Sequence, residues 1–128
     1  MKKDFILKTK KDNILRISTF SVDENVMNPC LIYVHGFKGF KDWGFIPYLG
    51  DYFSTRGFFV ITFNFSHNGV GESLTEFNEL EKFAKNTVSL EVEELTEIID
   101  AYSAGFFAKG RIKKLELLDT AVVVTFRL

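Results

Sequence analysis

Two uninterrupted apolar runs constrain this chain more than any other feature. Cys30-Leu-Ile-Tyr-Val34 and Phe58-Phe-Val-Ile-Thr-Phe63 lack the alternation of apolar and polar residues that marks a half-exposed strand. Successive side chains of a strand point to opposite faces, so a strand that is apolar throughout needs cover on both. Between the runs, Phe45, Ile46, Leu49, Tyr52 and Phe53 recur at helical spacing within residues 43–56. Pro47 fits only the first turn of that helix, and Gly57 ends it. A buried strand, a helix and a second buried strand predict a crossover unit with two parallel strands.

The flanking segments extend this order. Phe5-Ile-Leu-Lys-Thr-Lys10 and Ile14-Leu-Arg-Ile-Ser-Thr-Phe20 are β-type runs separated by Lys11-Asp-Asn13, which predicts an antiparallel hairpin. Residues 21–29 are polar and include Pro29, and residues 64–81 contain Asn68-Gly69 and Gly71; both read as loops, the second with at most a helical turn. Val88, Val92, Leu95, Ile99 and Tyr102 form one apolar stripe at helical spacing. Glu91, Glu93 and Glu94 lie in its early turns, where the helix dipole favours acids, and Gly105 or Gly110 closes the element. The expected class is α/β, a three-layer α/β/α arrangement with an antiparallel hairpin followed by parallel strands.

Composition excludes several alternatives. Hydrophobic residues at 46% and fifteen phenylalanines are incompatible with a disordered chain, and 128 residues make one domain at most. A net charge of −1 offers no basic surface for nucleic acid. The one cysteine, Cys30, precludes an internal disulfide, fits a reducing cytoplasm and reads as a small core residue. Asp4 and Lys8 interrupt any signal-peptide core, and no apolar run approaches membrane-spanning length. No His/Cys/Asp cluster has metal-ligand spacing, so no metal is expected.

Chemistry is expected where His35-Gly-Phe-Lys-Gly39 stops the first buried run. Leu31-Ile-Tyr-Val-His-Gly-Phe-Lys-Gly39 resembles the third strand and oxyanion loop of α/β-hydrolases, nearest the dienelactone-hydrolase-like esterases and serine aminopeptidases. Arg56-Gly-Phe-Phe-Val-Ile-Thr-Phe-Asn-Phe65 is similar to the next helix end and fourth strand of that family. Ser66-His-Asn-Gly-Val-Gly-Glu-Ser73 is similar to the following loop, where the family often has R-G-x-G-x-S. The resemblance makes residues 1–112 the N-terminal portion of an α/β-hydrolase domain. It implies hydrolysis of a small-molecule ester, or of an amide or peptide, through a Ser-Asp-His triad and an acyl-enzyme, without a cofactor. It also implies an oxyanion loop of His35, Gly36, Phe37, Lys38 and Gly39, with the backbone N–H of Phe37 as a donor.

Other candidates carry less. The family's chain order of serine, acid, then histidine makes His35 a poor base, and a ring hydrogen bond holding the loop is the expected role. Ser66 and His67 are not expected to pair, because neighbours at an extended strand end point to opposite sides. Ser103, in Ala101-Tyr-Ser-Ala-Gly105, reads as a solvated helix terminus. Phe37, Phe40, Trp43 and Phe45 line an acyl pocket or belong to the core, and both readings stand.

Residues 113–128 read as an out-of-frame tail. The first two bases of the codons for Asp119-Thr-Ala-Val-Val-Val-Thr-Phe-Arg-Leu128, shifted by one, permit Gly-His-Ser-Arg-Gly-Gly-Asp-Ile-Ser-Ala. Gly-His-Ser-Arg-Gly is a G-x-S-x-G nucleophile elbow. Residues 115–118 shift to a run such as Ile-Gly-Ile-Ile, and the A-rich codons of Lys113-Lys114 are prone to single-base slippage. The expectation is a truncated, inactive fragment lacking nucleophile, acid and base. The alternatives are a small binding or scaffold protein, or one half of a split hydrolase. Ala121-Val-Val-Val-Thr-Phe126, uncharged and β-branched, is expected to self-associate through an open sheet edge. Restoring one base at the Lys113-Lys114 codons should recreate Gly-His-Ser-Arg-Gly and continue into a longer open frame. Genomic sequencing that finds an early stop there, or third bases giving no glycine–serine pattern, removes this reading.

Overall fold

A computed structural model describes residues 1–24, 28–35, 40–71, 76 and 78–107, together with the backbone of 121–125. The elements in chain order are β1 (Lys2–Lys8), β2 (Ile14–Phe20), β3 (Cys30–Val34), α1 (Ile46–Ser54), β4 (Phe59–Asn64), α2 (Leu80–Ala84), α3 (Val88–Ser103) and β5 (Ala121–Thr125). The strands form one sheet in the order β1-β2-β4-β3-β5. β1 and β2 are the expected antiparallel hairpin, and β2 also runs antiparallel to β4. β3 lies parallel to both β4 and β5.

The hairpin turn follows from its residues. Asp12 adopts a left-handed φ of 69°, which an aspartate tolerates better than most side chains. The N–H of Thr9 donates to the carbonyl of Asn13 at 2.8 Å, and the N–H of Asp12 to that of Thr9 at 2.9 Å.

Both faces of β3 and β4 are covered, as their composition demands. Cys30, Ile32 and Val34 join Phe59, Ile61, Phe63, Leu15 and Ile17 in a cluster that meets Ile98 and Tyr102 of α3. On the opposite face Phe20, Leu31 and Val60 pack with Phe53 of α1. The result is three layers, with α1 and α3 on opposite sides of the sheet.

Both long helices are rotated from the faces their apolar residues predict. In α1 the buried row is Ile46, Gly50 and Ser54, while Phe45 and Tyr52 are exposed. The cause is the close approach of α1 to β2: a Cβ at Gly50 would lie 2.5 Å from ring carbons of Phe20. Only the row containing glycine can face the sheet at that distance. Pro47 sits in the first turn as expected, and Gly57, at φ +94°, closes the helix as its N–H donates to Ser54. In α3 the expected stripe fails at its start, since Val88 is 75% and Val92 59% exposed. The buried row is Glu94, Ile98 and Tyr102, with Leu95 and Ile99 at its flank. Thr87 caps α3 by accepting from the N–H of Leu90 at 3.1 Å. Its end is closed at Gly105, not Gly110, as the N–H of Phe106 donates to Ala101 at 3.0 Å.

β5 registers Cys30 against Ala121 and Val34 against Thr125, and it is last in the strand order among the described residues. Residues 115–118, read above as a strand in another frame, lie outside the described residues.

Gly50→Ala tests the close approach. Overpacking against Phe20 costs about 1–3 kcal/mol, against a helix-propensity gain of about 1 kcal/mol. Urea unfolding should show a net loss of stability that Phe20→Leu partly reverses. An unchanged or raised midpoint in Gly50→Ala contradicts this packing.

Candidate functional site

Because β3 and β4 are parallel neighbours, their C-terminal ends lie side by side, the edge at which open α/β sheets bind ligands. His35 follows β3, and Phe65 and Ser66 follow β4. The expected oxyanion residues Gly36, Phe37, Lys38 and Gly39 lie outside the described residues. His35 and Lys41, on either side of them, are each tied to the end of β4.

On the near side, buried His35 accepts the N–H of Phe65 on Nε2 at 3.2 Å, and its ring meets the Phe65 ring at 4.9 Å, edge to face. An accepting Nε2 requires the proton on Nδ1 in the neutral ring. On the far side, Lys41 is only 2% exposed and its N–H donates to Oδ1 of Asn64 at 2.7 Å. Its Nζ donates to Asp42 and to Ser18 Oγ, each at 2.8 Å, and Ser18 donates in turn to Asp4. His35 and Lys41, on either side of 36–39, are therefore bonded to consecutive residues, Asn64 at the end of β4 and Phe65 just after it. Asn64 Nδ2 is buried with no partner among the described residues.

Lys41 was invisible as an anchor, because a lone lysine beside a loop reads as solvated. Glu94 was missed for a similar reason. It is 1% exposed, and its carboxyl accepts the N–H of Ser66 at 2.9 Å and the hydroxyl of Ser66 at 2.5 Å. Burial pushes the Glu94 carboxyl above its ordinary range; the two Ser66 hydrogen bonds oppose this, and Glu97 and Glu91 reinforce it.

Ser66 and His67 are paired, contrary to expectation, with Ser66 Oγ 2.7 Å from His67 Nδ1. The strand has already ended at this point. The N–H of Asn68 donates to the carbonyl of Phe65 at 3.1 Å, closing a turn that brings the two side chains together. Desolvation lowers the His67 pKa, as do Lys82 and Lys85, while Glu79 raises it.

The aromatic pocket candidates are divided. Phe40 is buried, whereas Trp43 and Phe45 are substantially exposed and touch edge to face at 5.9 Å. A cavity of about 330 Å³ lies instead between α1 and the sheet, lined by Leu31, Tyr33, Ile46, Leu49, Phe53 and Val60, and none of the three aromatics borders it. Ser103 is exposed at the end of α3 and donates to the carbonyl of Ile99, and Cys30 is fully buried. Among the described residues no helix is long and apolar enough to cross a membrane, and no group of His, Cys, Asp and Glu is placed to hold a metal ion.

No family model matches the sequence, and no curated protein matches it. Solved structures do match the fold. An esterase from Pyrococcus furiosus superposes over 98% of this chain with a TM-score of 0.64 and 16% identity. The α/β hydrolase GrgF from Penicillium superposes over 80%, with a TM-score of 0.60 and 19% identity. The fold is that of the α/β-hydrolases. The epoxide hydrolase VrEH1 from Vigna radiata also matches, over 81% of this chain, with a TM-score of 0.58 and 17% identity. The chain spans 42%, 32% and 29% of these three proteins respectively.

Within the α/β-hydrolase fold, His35 couples the loop-bearing end of β3 to the end of β4. His35→Ala leaves the Phe65 N–H without that acceptor, at a cost of about 1–3 kcal/mol. Denaturant unfolding should show that loss, with faster hydrogen exchange at the Phe65 amide. Exchange unaltered by the substitution refutes the anchor.

Proposed function

We propose that this chain forms the oxyanion-loop portion of an α/β-hydrolase that cleaves carboxylic esters, with amides or peptides as the second substrate class. The observation that carries the reading is that two residues flanking the His35-Gly-Phe-Lys-Gly39 motif are bonded to the end of β4, His35 to Phe65 and Lys41 to Asn64, at the C-terminal edge of two parallel strands. A tetrahedral acyl intermediate develops negative charge on oxygen, and preorganised backbone donors stabilise it most when the main chain carrying them cannot move. Glycines at 36 and 39 suit a segment that turns sharply to expose its amides, and in this reading Phe37 supplies one donor.

The nucleophile belongs to the same proposal. Ser66 is buried and hydrogen-bonded to Glu94, and Ser103 is at a helix end; neither has the strand-to-helix position of an elbow. Residues 113–128 are read as the out-of-frame counterpart of the strand and elbow that complete the site, so the 128-residue chain is catalytically silent. The pairing of β5 with β3 supports a strand in that sheet position. Cytoplasmic residence, from the one buried cysteine, and self-association at the β5 edge are part of this reading.

Turnover of p-nitrophenyl esters tests it. The 128-residue chain should show none above buffer, and the chain restored by one base at the Lys113-Lys114 codons should be active. In the restored enzyme Gly36→Val should lower kcat by about 10²–10³-fold, the scale of a lost oxyanion donor, while Phe37→Ala alters substrate preference more than rate. Activity in the 128-residue chain, or none after restoration, overturns the reading. Activity recovered only by co-expressing the downstream portion identifies a split hydrolase.

A further inference from the structure

Two consecutive amides at the end of β4 are held by side chains from two other elements. The N–H of Phe65 donates to His35 beyond β3, and the N–H of Ser66 donates to Glu94 on α3. Glu94 occupies the buried row of α3 with Ile98 and Tyr102, where an aliphatic residue would bury no polar atoms. A carboxyl in that row is therefore present for its bonds. Ser66 Oγ bridges it to His67, which remains partly open to solvent.

We propose that Glu94, Ser66 and His67 form a proton relay, in which Glu94 is the positioning residue that fixes the direction in which the chain leaves β4. With Glu94 ionised, Ser66 Oγ donates to Glu94 Oε2; with Glu94 and His67 both neutral the same contact is reversed, the Glu94 carboxyl donating from Oε2 to Ser66 Oγ and the Ser66 hydroxyl donating to His67 Nδ1. Moving each proton one place breaks the Glu94 and Ser66 O–H bonds and forms a new Ser66 O–H and a His67 Nδ1–H. The product is a carboxylate and an imidazolium, with no proton gained or lost. Ser66 then donates to Glu94, and His67 donates to Ser66, so the same contacts serve both arrangements. Through His67 the buried carboxyl exchanges its proton with solvent.

The surrounding charges favour the neutral arrangement. Glu94 faces Glu91 and Glu97 on its own helix; Asn86 binds Glu91, and the backbone N–H of Lys10 from the hairpin turn binds Glu97. Lys11 pairs with Glu93, the residue preceding Glu94. His67 faces Lys82 of α2 and Lys85 beside it, with Glu79 opposing them. With the folded pKa of Glu94 raised above its unfolded value by burial, its contribution to stability is fully present below the unfolded pKa and is lost as pH rises through the folded one, although the two Ser66 bonds themselves favour the carboxylate. The relay goes beyond ester hydrolysis and does not rest on that reading, since none of its three residues belongs to the oxyanion segment.

The test follows the His67 ring resonances of the 128-residue chain by NMR across pH. The wild type should titrate in two steps, one from the imidazole, below its ordinary range, and one from Glu94 through Ser66. Glu94→Gln copies the neutral carboxyl, so it should remove the Glu94 step and keep exchange at the Phe65 and Ser66 amides within about twofold, whereas Glu94→Ala should accelerate both by roughly tenfold or more. Ser66→Ala should uncouple the two groups and leave one step. One unshifted His67 step common to wild type and Glu94→Gln overturns the proposal, as does equal exchange in the two Glu94 variants. If Glu94→Ala does not fold, the His67 titrations of wild type, Glu94→Gln and Ser66→Ala decide alone. None of these measurements uses hydrolysis, so a silent ester assay and a failed relay are separate results.

Discussion

The parallel pairing of β3 with β4 is the constraint from which the remaining structure follows. Each strand is apolar on both sides, so neither face of the pair can meet water. Burying one such side chain is worth about 1.5–3 kcal/mol, and Ile32, Phe59, Ile61 and Phe63 are all at or near complete burial. That demand brings α1 to one face and α3 to the other. It draws α1 so close that only glycine fits opposite Phe20. It also sets the ends of β3 and β4 next to each other, which makes the loop after one strand a neighbour of the turn after the other.

At that edge the apolar sheet gives way to buried polar groups. His35, Lys41, Asn64, Ser66 and Glu94 are all buried, and each has a bond to the end of β4 or is itself at that end. Buried ion pairs and carboxyls offer little net stability over apolar residues of the same size. Their effect here is positional: three different segments are pinned to residues 64–66.

The fold alone does not choose the chemistry. Structures of an esterase and of an epoxide hydrolase match this chain comparably well, with TM-scores of 0.64 and 0.58. A fold shared by both leaves the chemistry to particular side chains, so the ester reading rests on the His35-Gly-Phe-Lys-Gly39 motif in the sequence.

Much of the architecture was legible in the sequence. Continuous apolar runs determined which strands are buried, Lys11-Asp-Asn13 determined the hairpin, and Pro47 and Gly57 bounded α1. These signals are local, since each follows from what a residue permits its own backbone and faces to do. The rotations of α1 and α3, and the pairing of Ser66 with His67, were decided only by tertiary contact. A helix's periodicity shows that it has an apolar side but treats Gly50 as neutral and Glu94 as solvated. Gly50 faces inward because Phe20, thirty positions earlier, leaves room for nothing larger. Glu94 faces inward because an N–H and a hydroxyl 28 residues away supply the bonds that water would otherwise provide. Burial of a polar group depends on its partner, and the partner's position exists only in the folded chain.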